Sequence, residues 1–183
     1  MLNKIISLVM MIVFIPIFFI IGLIIVIDDG FPIFFLQKRI GKNKKLFHII
    51  KFRTMNNNTK DIATHLVKNY DNKILRSGSF LRKYSLDELP QIINVIFGDI
   101  NFIGPRPALF NQHDLIELRE KYNIHSIKPG ITGWAQVNGR DSLSIKEKVR
   151  YDDYYVRNKS FTLDIKILYK TIFKVFFAKD ISG

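Results

Sequence analysis

Residues 5–27 read IISLVMMIVFIPIFFIIGLIIVI, an apolar run that only Ser7, Pro16 and Gly22 interrupt. A helix of about 20 apolar residues is long enough to cross the hydrocarbon core of a bilayer. A cleaved signal peptide is the alternative, but its apolar part is about half as long and ends in small residues. Here the run ends in IVIDDG. The run therefore predicts a segment that stays in the membrane.

Pro16 lies near the middle of this run, where it removes one helical hydrogen bond and favours a kink. The segment either spans the bilayer with a bend, or turns near Pro16 and leaves on the side from which it entered. Each arm of such a re-entrant hairpin has about 11 residues and reaches about 16 Å, roughly half the hydrocarbon thickness. Because Lys4 is the one basic side chain before the run, the positive-inside rule predicts that the remaining chain is cytoplasmic.

The remaining chain is long enough for one domain, so the sequence divides into a membrane hairpin, residues 1–28, and a cytoplasmic domain, residues 29–183. The absence of cysteine excludes disulfides and thiolate chemistry. A formal net charge of +12 predicts an anionic partner. No acidic residue lies between Asp29 and Asp61, whereas eight basic residues do, which is typical of a face held against anionic lipid.

Hydrophobic periodicity predicts a mainly helical α+β domain. Two short apolar runs, 33–36 and 46–52, flank a Gly-Lys-Asn turn and predict a small β-hairpin. The polar segment 56–78 predicts a loop with room for one short helix. Helices are predicted over 85–98, with Gly98 as its end, and over 112–122, 144–156 and 163–179.

The last of these helices carries Lys166, Lys170 and Lys174 on one side and apolar residues over most of the remainder. This pattern is typical of an amphipathic helix that lies on a membrane surface. An ordinary surface helix with a wide buried face fits nearly as well.

The block RKYSLDELPQIINVIFGDINFIGPRPAL, residues 82–109, places two adjacent carboxylates, Asp87 and Glu88, in a basic chain. Ser85 to Glu88 matches S-x-x-E, a capping box in which both side chains satisfy backbone donors at a helix start. That structural interpretation is the alternative to a reactive role. Neighbouring helical residues point about 100° apart, so the two carboxylates would have different tasks.

Three arginines favour the reactive role. Arg82 lies five residues before Asp87, Arg106 stands between two prolines in GPRP, and Arg140 closes WAQVNGR. The prolines restrict the backbone of Arg106, as bidentate phosphate recognition requires. A carboxylate among arginines has its ionised form favoured and can act as a nucleophile or a metal ligand. With a diphosphate substrate, Mg²⁺ held by one carboxylate and phosphate oxygens is the usual arrangement.

KFRTM (51–55), the block 82–109 and KPGITGWAQVNGR (128–140) resemble the signature blocks of the small monotopic phosphoglycosyl transferases, the bacterial sugar transferase family. The resemblance implies a monotopic membrane protein with a re-entrant hairpin kinked at Pro16. It also implies transfer of a phosphosugar from a UDP-sugar to undecaprenyl phosphate, at the cytoplasmic face of the bacterial inner membrane. This is the first membrane step of glycoconjugate assembly.

The resemblance further implies that Asp87 attacks the β-phosphate, forms an aspartyl phosphosugar and releases UMP. Glu88 is the second member of the catalytic dyad, and Asp87 also contacts Mg²⁺. Positions that the family uses to handle substrate phosphates or to organise the site are matched by Arg82, Arg106, Arg140 and Asp164.

The sequence departs from the family pattern near the hairpin, where Ile15 replaces the usual serine before Pro16. The usual charged pair in the first turn is reduced to Lys4 and Ser7. The segment 106–141 resembles members that use UDP-linked N-acetylated amino-deoxy sugars such as di-N-acetylbacillosamine.

A non-catalytic, membrane-anchored basic scaffold that binds anionic lipid or a protein partner is the main alternative. It accounts for the apolar segment and the positive charge but leaves Arg106 and the acidic pair unexplained. Nucleic acid is not expected as a partner, because the aromatic residues of the basic block alternate into an apolar face and form no stacking platform.

Overall fold

The computed structural model describes residues 2–56 and 73–176. Within them the fold is mainly helical with two small sheets. Its elements in chain order are α1 (Leu2–Asp29), β1 (Phe34–Ile40), β2 (Leu46–Phe52), α2 (Arg76–Lys83), α3 (Gln91–Phe97), β3 (Asn101–Ile103), α4 (His113–Lys121), β4 (Gly130–Thr132), α5 (Ile145–Asn158) and α6 (Phe161–Phe176).

The apolar run forms the single long helix α1, which is long and apolar enough to cross a membrane, with a mean hydropathy of 3.2. Pro16 lies inside it and no other conformation interrupts the helix, so the re-entrant hairpin stays a prediction. Most of the apolar side chains in its middle are exposed, a pattern typical of a surface that another apolar phase or partner covers. Its two ends do contact the domain: Asn3 Nδ2 donates to Asn101 Oδ1 at 3.3 Å, and Ser77 N donates to Asp28 Oδ2 at 2.8 Å.

The predicted β-hairpin is confirmed. Strands β1 and β2 pair antiparallel, from Phe34 opposite Phe52 to Ile40 opposite Leu46. Phe52 is buried in a cluster with Ile21 and Ile25 of α1, with Leu81 of α2 and with Leu75 just before α2. Burial of each such side chain contributes about 1.5–3 kcal/mol, so this cluster ties α1 to the domain.

The helix predicted over 85–98 is divided into two. Ser85 has a φ of 54° and is followed by a 3₁₀ turn at Leu86–Glu88, and α3 begins only after Pro90. Gly98 ends α3 with a φ of 88°, as predicted. Because of this division, the two carboxylates lie in the 3₁₀ turn and not on a face of an α-helix.

A short parallel sheet is the element that the sequence pattern missed. Asn101 of β3 pairs with Gly130 of β4, and Ile103 with Thr132. A Cβ on Gly130 would lie 2.1 Å from Gly104 N, so the close approach requires glycine. Strands of three residues are too short to show a period of two, which is why the segments 100–109 and 128–140 resemble loops.

The remaining predicted helices are confirmed as α4, α5 and α6. Residues 177–179 of the last predicted helix lie outside the described residues. A capping box does occur at the start of α5, where Ser144 and Glu147 bond each other's backbone N–H. Most of the predicted loop 56–78 lies outside the described residues, and its end begins α2.

Helix α6 presents an apolar stripe outward, while two of its lysines turn to the protein. Lys166 Nζ and Lys170 Nζ lie 5.5 and 4.9 Å from the ring centre of Trp134. The exposed apolar side chains are Phe161, Ile165, Leu168, Tyr169, Ile172 and Phe173. This exposure favours the membrane-surface interpretation of the helix over the buried one.

Candidate active site

Asp87 and Glu88 lie side by side in the 3₁₀ turn and are both nearly buried, with 8% and 9% of their surfaces exposed. The Ser85 side chain makes no capping hydrogen bond. Glu88 instead accepts a hydrogen bond from Lys51 Nζ at 2.7 Å. The capping-box interpretation of this pair is therefore wrong, because the left-handed Ser85 turns the chain out of the geometry that a capping box needs.

Glu88 is surrounded by cations. Besides Lys51, Arg106 Nη2 donates to its Oε1 at 2.8 Å, and Arg140 Nη2 lies 3.8 Å from the same oxygen. Burial alone would raise the pKa of Glu88, but Arg106, Lys51 and Arg140 together hold this pKa well below its ordinary value. Glu88 is thus an ionised anchor that gathers three basic side chains from distant parts of the chain.

Asp87 is in a different electrostatic state. Its Oδ2 lies 3.9 Å from Lys51 Nζ, too far for a hydrogen bond. Burial raises the pKa of Asp87, and Lys51, Arg82 and Arg140 offset this only in part. The sequence predicted a lowered pKa for this carboxyl. Burial is the main cause of the difference, and the negative charge of Glu88 adds to it. A more basic carboxylate is a better nucleophile once it is ionised.

Lys51 lies between the two carboxylates and was not among the predicted site residues. Burial lowers its pKa, while Glu88 and Asp87 act in the other direction. Lys51 is the first residue of the family motif KFRTM, which could have indicated a role in the site. Because it also lies in the basic block 38–60, it was interpreted as part of a lipid-facing surface. Arg53 of the same block also turns inward and bonds Asp29 and the end of α1.

The loop that carries Arg106 is held by more than its prolines. Arg119 Nη1 donates to the backbone oxygen of Arg106 at 2.7 Å, and Arg39 Nη1 donates to that of Pro107 at 2.9 Å. Arg119 is itself fixed by Asp152, whose Oδ2 accepts from Nε at 3.1 Å and from Nη2 at 2.6 Å. The buried Arg119–Asp152 pair therefore connects α4 and α5 to Arg106, a contact that no sequence pattern indicated.

The structure brings all three predicted arginines near the carboxylates but places Asp164 elsewhere. Arg82 Nε donates to Thr54 Oγ1 at 2.8 Å, and its charge reaches Asp87. Asp164 accepts a hydrogen bond from the hydroxyl of Tyr155 at 2.8 Å. This contact joins α5 to α6, which fits an ordering role. Pro16 lies within α1, outside the carboxylate cluster.

The residues present fit a Mg²⁺ ion that is brought with substrate. No group of three His, Asp or Glu side chains that could hold a metal occurs in the described parts of the chain, 2–56 and 73–176. Glu88 is occupied by Lys51 and Arg106, which leaves Asp87 as the carboxylate with an available oxygen. One carboxylate suffices when phosphate oxygens and water complete the octahedron.

These features are typical of a site that binds an anionic group beside a buried carboxylate, in a chain whose N-terminal helix is long and apolar enough to cross a membrane. Comparison with known proteins is more specific, because the profile of the bacterial sugar transferase family matches residues 1–178. The chain belongs to the bacterial sugar transferase family, as the motif resemblance indicated.

Three relatives illustrate the range of the family. An uncharacterized sugar transferase, EpsL, of Bacillus subtilis is 43% identical over 152 residues, which cover 83% of this chain and 74% of the relative. The UDP-glucose:undecaprenyl-phosphate glucose-1-phosphate transferase of Escherichia coli is 41% identical, over 90% of this chain and 37% of the relative. The UDP-N-acetylgalactosamine-undecaprenyl-phosphate N-acetylgalactosaminephosphotransferase of Aeromonas hydrophila is 36% identical, over 87% of this chain and 39% of the relative. This chain thus spans under two fifths of the last two proteins.

Proposed function

We propose that this chain transfers a sugar 1-phosphate from a UDP-sugar to undecaprenyl phosphate and releases UMP, through an aspartyl-phosphosugar intermediate on Asp87. The observation that carries the proposal is the unequal pair of buried carboxylates. Glu88 forms ion pairs with Lys51 and Arg106. The adjacent Asp87 lacks such close ion pairs, and burial raises its pKa. A non-catalytic scaffold has no use for this arrangement, and the family assignment also favours catalysis.

In the first step, an oxygen of Asp87 attacks the β-phosphorus of the UDP-sugar. A P–O bond forms to the carboxylate, and the bond between the β-phosphorus and the bridging oxygen breaks. UMP leaves with that electron pair, so no proton has to be moved. Arg106 and Arg140, gathered around Glu88, are placed to stabilise the charge of the transferring phosphoryl group.

In the second step, a phosphate oxygen of undecaprenyl phosphate attacks the same phosphorus. The bond to Asp87 breaks and the carboxylate is restored, which leaves the sugar on a diphosphate-linked lipid. Two steps at one carboxylate divide a difficult exchange between large anions. Lys51 contacts Glu88 and lies near Asp87, and we assign it the role of balancing their charges while Asp87 is alternately ionised and esterified.

Mg²⁺ is part of this proposal. Asp87, together with substrate phosphate oxygens, would hold the ion, which when bound neutralises phosphate charge. Glu88 serves as a positioning group, since its oxygens are already used by Lys51 and Arg106.

The contacts of α1 support a re-entrant topology with the domain on the cytoplasmic face of the bacterial inner membrane. A straight helix of 28 residues would extend about 42 Å. Yet Asn3 bonds Asn101 just after α3, and Asp28 bonds Ser77 in α2, while most of the apolar side chains between them are exposed. Both ends of the apolar segment therefore meet one domain, which a segment that exits on the far side could not do.

This topology predicts that the start of α1 and the turn between β1 and β2 are both reached from the cytoplasm alone. Because the native chain has no cysteine, Lys4→Cys and Lys42→Cys can each be labelled with a membrane-impermeant thiol reagent. We expect neither variant to react in intact cells and both to react after lysis. Reaction of Lys4→Cys from the periplasm would show a spanning helix instead.

The donor sugar in this proposal is an N-acetylated amino-deoxy sugar such as UDP-di-N-acetylbacillosamine, a choice that rests on resemblance in the segment 106–141. The names of the relatives point to glucose and N-acetylgalactosamine as competitors. Intact-protein mass after incubation with Mg²⁺ and each UDP-sugar, without lipid acceptor, decides among them. We expect one added phosphosugar mass and an equal amount of UMP with the true donor. UMP release with no added mass would contradict the covalent intermediate.

A further inference from the structure

The loop 133–140 follows β4, ends in Arg140 and contains several hydrogen bonds of its own. Val137 N donates to Gly133 O at 3.1 Å, and Arg140 N donates to Ala135 O at 3.1 Å. Arg140 has a φ of 49°, in the left-handed region that residues with a side chain rarely adopt. A residue stays in that region only when its surroundings fix it. The placement of Arg140 beside Glu88 therefore depends on the contacts that hold this loop.

The side chain of Asn138 joins this loop to α6. Its Nδ2 donates to the backbone oxygen of Trp134 at 2.7 Å, which closes the loop on itself. Its Oδ1 accepts a hydrogen bond from Lys170 Nζ of α6 at 3.0 Å. The same ammonium lies 4.9 Å from the centre of the Trp134 ring, within the range of a cation–π interaction. Lys170 thus contacts the loop both at an amide and at an aromatic ring.

Helix α6 is also anchored beside the loop by contacts that do not involve the Lys170 side chain. Thr171 Oγ1 and Thr132 Oγ1 of β4 lie 2.7 Å apart and share a hydrogen bond. Ile167 is fully buried in a cluster with Val137 of the loop. Lys170 lies between these two anchors along α6, so its ammonium reaches the loop from a fixed backbone. Both anchors remain when the ammonium is removed, and α6 should therefore keep its place in a Lys170 variant.

We propose that Lys170 is a positioning residue that holds Arg140 in place through its hydrogen bond to Asn138. The proposal rests on the proposed function, in which Arg140 stabilises the charge of the transferring phosphoryl group. Arg140 Nη2 lies 3.8 Å from Glu88 Oε1, so a small displacement of the loop changes what this guanidinium reaches. Lys170 acts without touching the substrate, because it fixes the backbone from which Arg140 extends. The alternative is that Lys170 only stabilises the packing of α6.

Three substitutions separate the path through Asn138 from a general loss of positive charge. Lys170→Met removes the ammonium and keeps most of the apolar stem, whereas Lys170→Arg keeps a charged donor that can reach the same amide. Asn138→Leu removes the other partner of the hydrogen bond. Lys159→Met is the matched control, because Lys159 is an exposed lysine just after α5.

The rate of phosphosugar adduct formation is measured for each purified full-length variant with Mg²⁺ and a range of donor concentrations, without acceptor. We expect the rate at saturating donor to fall about tenfold in Lys170→Met and Asn138→Leu, because Arg140 acts on charge that develops in the transition state. The half-saturating donor concentration should change by less than about twofold, since ground-state binding is not the main target. Lys170→Arg and Lys159→Met should both stay within about twofold of the wild-type rate.

The same substitution in an Arg140→Met protein distinguishes positioning from packing. If Lys170 acts through Arg140, it has no guanidinium left to place, and Lys170→Met should leave the rate of the Arg140→Met protein unchanged. A further loss of about tenfold in the double variant would show that Lys170 acts on the substrate or on the fold, and the proposal would be wrong.

Trp134 provides a second readout that does not depend on catalysis, because it is the only tryptophan of the chain and lies beneath Lys170. Quenching of its fluorescence by acrylamide should increase in Lys170→Met and Asn138→Leu, as the loop loosens, and not in Lys159→Met. Unchanged quenching in the first two variants would show that Lys170 does not hold the loop.

The two readouts together separate this proposal from the proposed function. If the wild-type protein forms the adduct and Lys170→Met forms it equally fast, only the positioning role is wrong. If the wild-type protein forms no adduct with any UDP-sugar, the proposed function is wrong and so is the catalytic part of this proposal. Increased quenching in Lys170→Met would then still confirm the contact that holds the loop.

Discussion

Asp87→Asn should lower UMP release from the true UDP-sugar by about 10⁴-fold or more, since loss of a covalent nucleophile removes the whole pathway. An amide has the same shape but cannot form the phosphoester. The fold should survive, because burial disfavours the charge of Asp87 and a neutral side chain avoids that cost. Initial rates of UMP release and the thermal unfolding midpoint, measured on the same preparations, test both parts.

Glu117→Gln is the control for this experiment, because Glu117 is an exposed acid on α4 with no place in the site. It should keep wild-type activity. If Asp87→Asn released UMP at a rate within tenfold of wild type, the carboxyl would be structural and the covalent mechanism would be wrong.

Arg119→Met should be the most destabilising of the changes proposed here. It leaves Asp152, which is 1% exposed, without its cation, and one oxygen of Asp152 already has no hydrogen-bond partner among the described residues. Breaking a buried pair by removal of one partner costs about 3–5 kcal/mol. Chemical denaturation monitored by tryptophan fluorescence should show this loss of unfolding free energy.

The double variant Arg119→Met with Asp152→Leu separates stability from function. Replacement of both buried charges by apolar side chains is often neutral or stabilising, so most of the lost stability should return. Activity should not return, because the backbone oxygen of Arg106 still lacks the hydrogen bond from Arg119. If the double variant recovered wild-type kcat, Arg119 would have no positioning role toward Arg106.

Residues with a strong local signal were predicted well. The hairpin β1–β2 followed from two apolar runs around a turn, and Gly98 ended α3 because glycine accepts a positive φ without strain. Periodicity failed at Ser85 and Pro90, where the chain leaves the helix although the apolar spacing continues. It also failed at β3 and β4, which depend on the close approach of Gly104 and Gly130.

The sequence predicted most residues of the candidate site but not their electrostatic states. The adjacent acids and three arginines were visible as residue types in ordered motifs. Lys51 was missed because a lysine on a strand looks the same from the sequence whether it faces lipid or a buried carboxylate. Arg119 and Asp152 were missed because each lies on a helix whose polar residues resemble those of a solvated face.

The sequence by itself therefore determined the membrane segment, the α+β class, the family and the pair of carboxylates, since these depend on composition and on patterns within a short length of chain. The tertiary structure alone decided which carboxylate the cations bond. The Lys51 and Arg106 contacts of Glu88 join residues 37 and 18 positions apart, and burial sets the pKa of Asp87. The charge balance of a buried site depends on such distant contacts and on the loss of solvent. Neither produces a periodic pattern along the sequence.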